Sequence, residues 1–207
     1  MKGLFITFEG SEGCGKSTQS KLLCEFLKRK GFAVVFLREP GATRISEKIR
    51  DILLDGKNQA ISAECEMLLY MAARAQIVSE VIKPELAKGK IVVCDRFLDS
   101  TLAYQGYGLG VNLAAIKYTG KFATQGIKPD LTIFLDLPLE IGLRHRAKTQ
   151  DRIEQRHLSY HKRVRAGYLK LIKLEPSRIK LVKVAESIAE TQNRIRELVS
   201  RVLSKRS

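Results

Sequence analysis

The sequence predicts an α/β fold: a doubly wound, five-stranded parallel sheet flanked by helices. The main observation is a set of five short apolar runs, LFITFE (4–9), FAVVFL (32–37), KIVVCD (90–95), LTIFLD (131–136) and IKLVKV (179–184). Each run is almost continuously apolar rather than alternating, as expected of strands that are covered on both faces. Helical patterns separate the runs, and this order favours parallel strands joined by helical crossovers.

Helices are predicted near residues 16–30, 43–54, 62–88, 112–125, 138–148, 152–174 and 186–203. The third is expected to begin at Ser62, with Glu64 and Glu66 in its first turn, and Pro84 is expected to kink or break it. Because no linker, repeat or low-complexity tract interrupts the chain, residues 1–207 are predicted to form a single domain.

The composition is typical of a soluble globular domain. The chain has 207 residues, which is long enough to enclose a core, and 44% of them are hydrophobic and 29% charged. No apolar run approaches the roughly 18 residues that span a membrane, and the N-terminus lacks the features of a signal peptide. We therefore expect a cytoplasmic protein with no membrane partner. The cysteines, Cys14, Cys24, Cys65 and Cys94, form no CxxC pair and are expected to be reduced thiols.

Net charge is the unusual bulk property. The 37 Lys and Arg residues and the 22 Asp and Glu residues give a formal charge of +15. From residue 141 onward, 18 basic and 6 acidic residues leave +12, so most of the excess lies in the last third. This asymmetry suits a nucleic-acid surface, a small phosphorylated ligand enclosed by arginines, or a well-solvated face. Composition does not choose among these three.

A glycine-rich loop follows the first predicted strand. GSEGCGKS (10–17) satisfies GxxxxGK[ST], with a strand before it and a helix after it, and so predicts a P-loop NTP hydrolase fold. Such glycines let backbone N–H groups surround phosphate oxygens at a helix N-terminus. Lys16 is expected to reach the β- and γ-phosphates of ATP, and the Ser17 hydroxyl to bind Mg²⁺. The predicted ATP-binding residues are Gly10, Ser11, Glu12, Gly13, Cys14, Gly15, Lys16, Ser17 and Thr18.

Two predicted strands end in an aspartate that could lie beside the metal. Asp95 is followed at once by Arg96, which places a carboxylate for Mg²⁺ and a guanidinium for phosphate at one strand end. Asp136 instead precedes Pro138 and a helical stretch. We therefore assign Asp95 to the chemistry and the metal, and expect Asp136 to start the next helix.

The sequence resembles the thymidylate kinase family over nearly the whole chain. Six blocks carry the resemblance, in the family's order: FEGSEGCGKST (8–18), REPGAT (38–43), AAR (72–74), DRFLDSTLAYQG (95–106), PDLTIFLD (129–136) and DRIE (151–154). Enzymes of this family pass a phosphoryl group from ATP to dTMP, giving dTDP and ADP on the way to dTTP. The resemblance implies the same activity here.

Three residues are expected to recognise the acceptor base. Tyr70 and Arg74 lie four apart on a predicted helix, so a stacking ring and a hydrogen-bonding guanidinium project from one face. The resemblance places thymine there, although Tyr70 stands where the family usually has Phe. Gln105 carries a donor and an acceptor suited to the N3–H and carbonyl edge of a pyrimidine. The structural alternative is a half-buried core tyrosine and a surface arginine.

The resemblance assigns further residues to the sugar and phosphate of the acceptor. It implies that Tyr104 packs where a ribonucleotide carries its 2′-hydroxyl, and that Glu12 hydrogen-bonds the 3′-hydroxyl. It also implies that Arg38 and Arg96 clamp the 5′-phosphate, and it places Ser100 in the same substrate-binding set. The alternatives are an exposed loop carboxylate for Glu12 and plain surface positions for the two arginines.

Further catalytic cations are expected in a mobile lid at about residues 143–153. Positioned cations lower the barrier to phosphoryl transfer, and residues 11–14 of the P-loop include no basic side chain. The resemblance therefore points to the branch of the family whose lid carries the arginines. The lid candidates are Arg144, Arg146, Lys148 and Arg152, of which Arg146 and Arg152 are preferred. The complete predicted catalytic set is Glu12, Lys16, Asp95, Arg96, Arg146 and Arg152.

Two further patterns are interpreted as bearing no function. His157 and His161 have the spacing of a helical metal pair, but their basic neighbours and the missing HExxH acid indicate a solvated helix face. Cys14 is interpreted as a small residue that the loop tolerates, with a reactive thiolate as the alternative.

Three functions are compatible with the sequence: a dTMP kinase, a kinase of another nucleoside monophosphate or deoxynucleoside, and a nucleic-acid-binding ATPase. The third is disfavoured because Tyr160 and Tyr168 are the only aromatic residues from residue 139 on, and no recognition module is visible. We therefore expect ATP and dTMP as substrates, Mg²⁺ as cofactor and no nucleic-acid partner. The resemblance implies a homodimer formed through the helices around 62–88.

Overall fold

The computed structural model describes residues 3–144 and 151–205. Its centre is a five-stranded, fully parallel sheet with the strand order β2-β3-β1-β4-β5. The strands are β1 (Leu4–Gly10), β2 (Val34–Arg38), β3 (Ile91–Asp95), β4 (Leu131–Asp136) and β5 (Ile179–Lys183). The predicted doubly wound α/β fold and its five strands are confirmed.

Helices cover the sheet. They are α1 (Lys16–Arg29), α2 (Arg44–Leu54), α3 (Ala63–Ile77), α4 (Lys83–Ala87), α5 (Leu98–Thr101), α6 (Leu113–Ala123), α7 (Leu139–Arg144), α8 (Leu158–Leu174) and α9 (Ile188–Ser204). Two π-helical segments, Val78–Ile82 and Leu102–Gly108, continue α3 and α5. Within the described residues, no helix has the length and apolar character needed to cross a membrane.

Both faces of the sheet are buried, which explains the continuous apolar runs. Alternate residues of β1 point to opposite faces, so Ile6 and Phe8 pack in one core with residues of α1 and α9, while Phe5 packs in another. The second core includes Ile77, at the end of α3, and residues of the π-helical segment that follows it. Each face of the sheet therefore needs apolar side chains.

The predicted long helix over 62–88 is divided before Pro84. The α-helical pattern ends at Ile77, and the π-helical segment Val78–Ile82 follows before α4 begins at Lys83. A proline lacks the N–H that an α-helix uses and its ring clashes with the preceding turn, and π-bulges are a common way of absorbing such a break. Residues 63–87 stay helical throughout, so the irregularity before Pro84 is a π-helical segment and not a break.

The helix predicted over 152–174 begins later, at Leu158. His157 caps it, since its ring accepts a hydrogen bond from the backbone N–H of Ser159 at 3.3 Å. The residues before the cap form turns, because the Asp151 carboxylate accepts from the backbone N–H groups of Ile153 and Glu154 at 2.9 Å each. Such aspartate turns compete with helix formation. The predicted start of this helix was therefore wrong.

The helical stretch 98–108 was not predicted, and it contains Gly106 and Gly108. Tight packing explains Gly108 and, on the facing helix α8, Gly167. A Cβ on Gly108 would lie 2.6 Å from the Tyr160 ring, and a Cβ on Gly167 would lie 2.6 Å from the Tyr107 ring. The π-helical segment and α8 thus approach each other closely at glycines.

Candidate active site

The carboxyl ends of three neighbouring strands form one edge of the sheet. In the sheet register Arg38 at the end of β2 pairs with Asp95 at the end of β3, and Asp95 pairs with Phe8 of β1. A cavity of about 530 Å³ lies at this edge. Crevices beyond the carboxyl ends of parallel strands are the usual ligand sites of doubly wound proteins.

Most of the predicted site residues line this cavity. They are Glu12, Gly13, Gly15, Lys16, Ser17, Thr18, Arg38, Tyr70, Asp95, Arg96, Ser100, Tyr104 and Gln105. Five predicted residues lie outside the lining, namely Gly10, Ser11, Cys14, Arg74 and Arg152. Arg146 and Lys148, with the rest of 145–150 in the predicted lid, lie outside the described residues.

The loop between β1 and α1 has the geometry of a phosphate-binding loop. Gly13 and Gly15 adopt positive φ angles of 68° and 87°, and Gly15 is the N-cap of α1. A Cβ on Gly13 would lie 1.9 Å from the carbonyl oxygen of Gly142, so a larger residue cannot fit. The buried Lys16 ammonium donates to the Ser11 carbonyl at 2.8 Å. A lysine and a helix N-terminus together favour an anion here.

Ser17 and Asp95 form the predicted metal-side pair. The Ser17 hydroxyl donates to the Asp95 carboxylate at 2.5 Å, which joins the first turn of α1 to the end of β3. Among the described residues, His, Cys, Asp and Glu form no cluster of three or more that could hold a metal alone. A hydroxyl and one carboxylate suit Mg²⁺, which usually takes one or two protein oxygens and completes its shell with phosphate and water.

Arg96 is the centre of a hydrogen-bonded cluster in the cavity. Its backbone has a positive φ of 74°, which is uncommon for a non-glycine residue and frequent at functional sites. The guanidinium donates to Glu12 at 2.7 Å, to the Tyr104 hydroxyl at 3.0 Å and to the Ser100 hydroxyl at 3.2 Å. Tyr104 also donates to Glu12, at 2.7 Å. The cluster therefore fixes the guanidinium at the cavity wall.

The electrostatics of this cluster keep both members of the ion pair charged. Burial alone would raise the pKa of Glu12, but Arg96 and then Lys16 outweigh it and lower that pKa to about 2. Burial alone would lower the pKa of Arg96, but Glu12 and neighbouring groups raise it well above its ordinary value. At neutral pH the cavity therefore presents a cation and an anion side by side.

Tyr70 and Gln105 supply a ring and an amide to the same cavity. The Tyr70 side chain is half-buried, and burial raises the pKa of its hydroxyl well above the ordinary value. Gln105 is almost fully buried, and its Nε2 donates to Glu66 at 2.8 Å. A flat ring and an oriented amide can together hold a planar heterocycle.

Arg74 does not lie beside Tyr70 on the cavity wall as the helical spacing predicted. It is 1% exposed, and its guanidinium donates to Glu39 at 2.8 Å and to the Thr101 hydroxyl and the Phe97 carbonyl at 3.0 Å each. A buried guanidinium needs partners for its N–H groups, and the protein itself supplies them. The surface position given as the alternative is therefore wrong, while contact between Arg74 and the acceptor base stays a prediction.

Arg152 is buried in the interior and pairs with a carboxylate. It is 3% exposed, its Nε donates to the Leu53 carbonyl at 2.9 Å, and its NH2 donates to Glu66 at 2.5 Å. The turn before α8 directs the side chain towards the buried Glu66 carboxylate, and a catalytic role for Arg152 stays a prediction.

Arg38 lines the cavity but is held by a surface carboxylate. Its NH2 donates to both oxygens of Glu47, at 3.0 and 2.9 Å, and its NH1 donates to the Pro40 carbonyl at 3.0 Å. Its side chain is 44% exposed. Exposed pairs of this kind are weak, so Arg38 can exchange Glu47 for a ligand at little cost.

Glu9 is a buried carboxylate that the sequence reasoning missed. It lies in β1 and accepts from the Phe97 backbone N–H at 2.8 Å, the Ser100 hydroxyl at 2.5 Å and the Tyr168 hydroxyl at 2.7 Å. Burial, and next the negative charge of Asp99, raise its pKa to about 7. Glu9 ends the apolar run LFITFE, and an acidic residue at the end of a buried strand is a sequence signal that could have indicated it. It supports the wall that carries Ser100.

Asp136 has a different role from the one predicted. Both of its oxygens accept from Arg165 of α8, at 2.8 and 2.9 Å. The carbonyl of Pro138, rather than the aspartate side chain, accepts the first backbone hydrogen bonds of α7, from Ile141 and Gly142. Asp136 therefore ties β4 to α8 and does not start the helix.

The two remaining motifs have structural positions. His157 is the exposed cap of α8, but His161 is buried against the Tyr160 ring, so the predicted solvated face holds only for the first. Cys14 is 2% exposed, and burial raises the pKa of its thiol, which disfavours a reactive thiolate. Its interpretation as a small, tolerated residue stays a prediction.

Comparison with known proteins identifies the family of the chain. Residues 8–195 match the model of the thymidylate kinase family. The chain is 47% identical over 198 residues to a thymidylate kinase of Geotalea uraniireducens (strain Rf4), covering 92% of this chain and 93% of that protein. It is 46% identical over 204 residues to one of Thermoanaerobacter sp. (strain X514), with coverages of 98% and 100%.

A solved structure has a similar fold. The crystal structure of thymidylate kinase from Ehrlichia chaffeensis matches with a TM-score of 0.78 and 32% identity, covering 97% of this chain and 99% of that one. The resemblance seen in the six sequence blocks is therefore confirmed at the level of fold and of overall sequence. The chain belongs to the thymidylate kinase family.

Proposed function

We propose that the chain transfers the γ-phosphoryl group of ATP to dTMP, giving dTDP and ADP, in the cavity at the carboxyl ends of β1, β2 and β3. Membership of the family makes the chain an ATP-dependent nucleoside monophosphate kinase. The observation that carries the proposal is that one cavity is lined by the phosphate-binding loop, by Arg96 and by the Tyr70 and Gln105 side chains. A donor and an acceptor nucleotide can therefore meet in a single site.

At the donor side, the loop amides and Lys16 bind the phosphates of ATP. The Nζ of Lys16 hydrogen-bonds the Ser11 carbonyl, so the ammonium is held at the loop before the nucleotide arrives. Ser17 and Asp95 have the oxygen donors to hold Mg²⁺, which would neutralise charge on the phosphates when bound. The contribution of the protein is to keep these groups in place, so that little reorganisation is needed.

At the acceptor side, Tyr70 stacks on the base, Gln105 hydrogen-bonds its edge, and Arg38 and Arg96 bind the 5′-phosphate. Glu12 and Tyr104 lie where they can contact the sugar, because both are hydrogen-bonded to Arg96. Arg96 belongs to the acceptor cluster and also donates to the Gly10 carbonyl at 3.2 Å, so its cation contacts the phosphate-binding loop as well. The role of Arg146 stays a prediction, as does the mobile lid.

We propose a homodimer as the assembled form. Three apolar side chains are exposed on the neighbouring helices α3 and α6: Leu68 at 53%, Tyr118 at 82% and Phe122 at 82%. Exposed apolar patches of this kind commonly mark an interface. Leu68 lies on α3, within the region over 62–88 that is expected to pair. The cytoplasmic location and the single-domain organisation stay predictions of the sequence.

An assay of ADP release over a panel of nucleoside monophosphates tests the proposed activity. We expect strong preference for dTMP over dCMP and AMP. Comparable turnover of dCMP or AMP would contradict the dTMP assignment and favour another acceptor. ATP hydrolysis that needs DNA or RNA, with no nucleotide acceptor, would contradict the kinase assignment itself.

A further inference from the structure

Glu66 is a fully buried carboxylate that joins the cavity wall to the segment before α8. Its exposure is 0%, and its Oε1 accepts from the Nε2 of Gln105 at 2.8 Å. Its Oε2 accepts from Arg152 at 2.5 Å and from Arg156 at 2.6 Å. A carboxylate removed from water is costly unless it is paired, and the two guanidinium groups supply that pairing. Glu66 itself does not line the cavity, whereas Gln105 does.

The chemistry of Glu66 fixes the orientation of the Gln105 amide. A carboxylate accepts hydrogen bonds and donates none, so the NH₂ group of the amide must face it. The reversed amide would place its oxygen 2.8 Å from a carboxylate oxygen, two acceptors in contact without a proton between them. Glu66 therefore accepts a hydrogen bond from one N–H of Gln105. The amide oxygen and the second N–H are left to bind a ligand in the cavity.

This orientation distinguishes two classes of pyrimidine. Thymine and uracil present an N3–H donor and an O4 acceptor, which match an amide that offers its oxygen to N3 and an N–H to O4. Cytosine presents an acceptor at N3 and an N4–H₂ donor, which need the reversed amide. A Gln105 that is free to turn would serve both classes, and one held by Glu66 serves only the first.

We propose that Glu66 is a positioning residue that makes the acceptor site select thymine and uracil over cytosine by holding Gln105 in one amide orientation. The inference rests on the proposed function, in which Gln105 meets the edge of the acceptor base. Glu66 lies four residues before Tyr70 on α3, so one helix supplies both the stacking ring and the anchor of the amide. Arg152 and Arg156 are the cationic partners of this carboxylate.

The test is a comparison of kcat/KM for dTMP, dUMP and dCMP in the full-length protein and in Glu66→Gln. The glutamine can donate as well as accept, so it permits either orientation of Gln105. We expect the dUMP-to-dCMP ratio of kcat/KM to fall by about tenfold or more, since hydrogen-bond mismatch is what excludes the wrong base. The dTMP-to-dUMP ratio should not change, because these two bases share the same polar edge. Glu64→Gln, the same change at an exposed position of α3, should leave both ratios unchanged.

A merely structural role cannot imitate this result. Loss of folded enzyme lowers the apparent kcat/KM of all substrates by one factor and leaves their ratios intact. If Glu66→Gln is insoluble, Glu66→Asp provides the test. The shorter side chain keeps a negative charge for Arg152 and Arg156 but no longer reaches the Gln105 amide. The dUMP-to-dCMP ratio of kcat/KM should again fall. Unchanged ratios in a soluble variant would overturn the inference while leaving the proposed function intact. A wild-type chain that uses dCMP as well as dUMP and dTMP would overturn both.

Discussion

Arg96 donates a 2.7 Å hydrogen bond to Glu12, so the residue after β3 and the phosphate-binding loop are joined by an ion pair. The Tyr104 hydroxyl donates to the same Glu12 oxygen, which links the pair to the π-helical segment. As a result, three separate parts of the chain set the position of one guanidinium. A cation placed in this way before substrate arrives is what electrostatic stabilisation of phosphoryl transfer needs.

Lys16→Ala should lower kcat by about 10²–10³-fold, because one preorganised cation of the phosphate-binding loop is removed. A coupled assay of ADP release with saturating dTMP measures this. Lys21→Ala is the matched control, since Lys21 is exposed on the same helix. A Lys16 variant with near-normal turnover would show that the loop does not bind the transferred phosphates.

Arg74→Ala should lower the free energy of unfolding by about 3–5 kcal/mol, because it leaves the buried Glu39 carboxylate without its cation. Urea denaturation followed by circular dichroism gives the value. The control is Arg201→Ala, whose side chain is 74% exposed and whose loss should cost almost nothing. A variant with normal stability and weakened dTMP binding would instead support direct contact between Arg74 and the base.

Glu9 should make the protein less stable as pH rises through neutrality. Its pKa rises from 4.5 to about 7 on folding, so the folded state binds more protons than the unfolded state between these values. The free energy of unfolding that Glu9 contributes below pH 4.5 is therefore lost as the pH rises to 7 and above. At 1.36 kcal/mol per pKa unit, the loss is about 3 kcal/mol.

Glu9→Gln isolates this effect, because the amide stays neutral at every pH. The stability of the wild type minus that of the variant should fall by about 3 kcal/mol between pH 4.5 and 8. Glu39, whose pKa burial raises to about 6, acts in the same direction but cancels in this difference. A difference that does not change with pH would show that Glu9 does not titrate in this range.

Phe122→Asp should weaken dimerisation by about thirtyfold or more in Kd, since the loss of a hot-spot side chain near the centre of an interface costs about 2 kcal/mol or more. Sedimentation equilibrium measures the constant. Leu174→Asp makes a similar change at a side chain that is 65% exposed at the end of α8, and it should have no effect. A wild type that is monomeric, or a Phe122 variant that still dimerises, would contradict the proposed interface.

Features encoded within a few neighbouring residues could be predicted from the sequence. The strands follow from runs such as LTIFLD, and the loop at 10–17 follows from glycines whose backbone angles other residues rarely adopt. The Ser17 and Asp95 pair could also be expected, because neighbouring parallel strands and their loops share an edge of the sheet.

Features that depend on distant partners could not be predicted. Helical spacing places Tyr70 and Arg74 near one face, but it does not reveal that Glu39 lies where it can bury the arginine. Likewise, the charge of Arg152 suggested a cation for phosphate, whereas Glu66, far away in sequence, binds it in the interior. A buried carboxylate holds an arginine side chain in the interior, and the sequence does not show that the carboxylate is buried.

A crystal structure with dTMP and a non-hydrolysable ATP analogue tests the central claim most directly. We predict that the base of dTMP stacks on Tyr70 with its edge against Gln105, that its phosphate meets Arg96, and that the triphosphate occupies the loop around Lys16. Electron density for dTMP at another surface, or a triphosphate held away from that loop, would contradict the shared cavity.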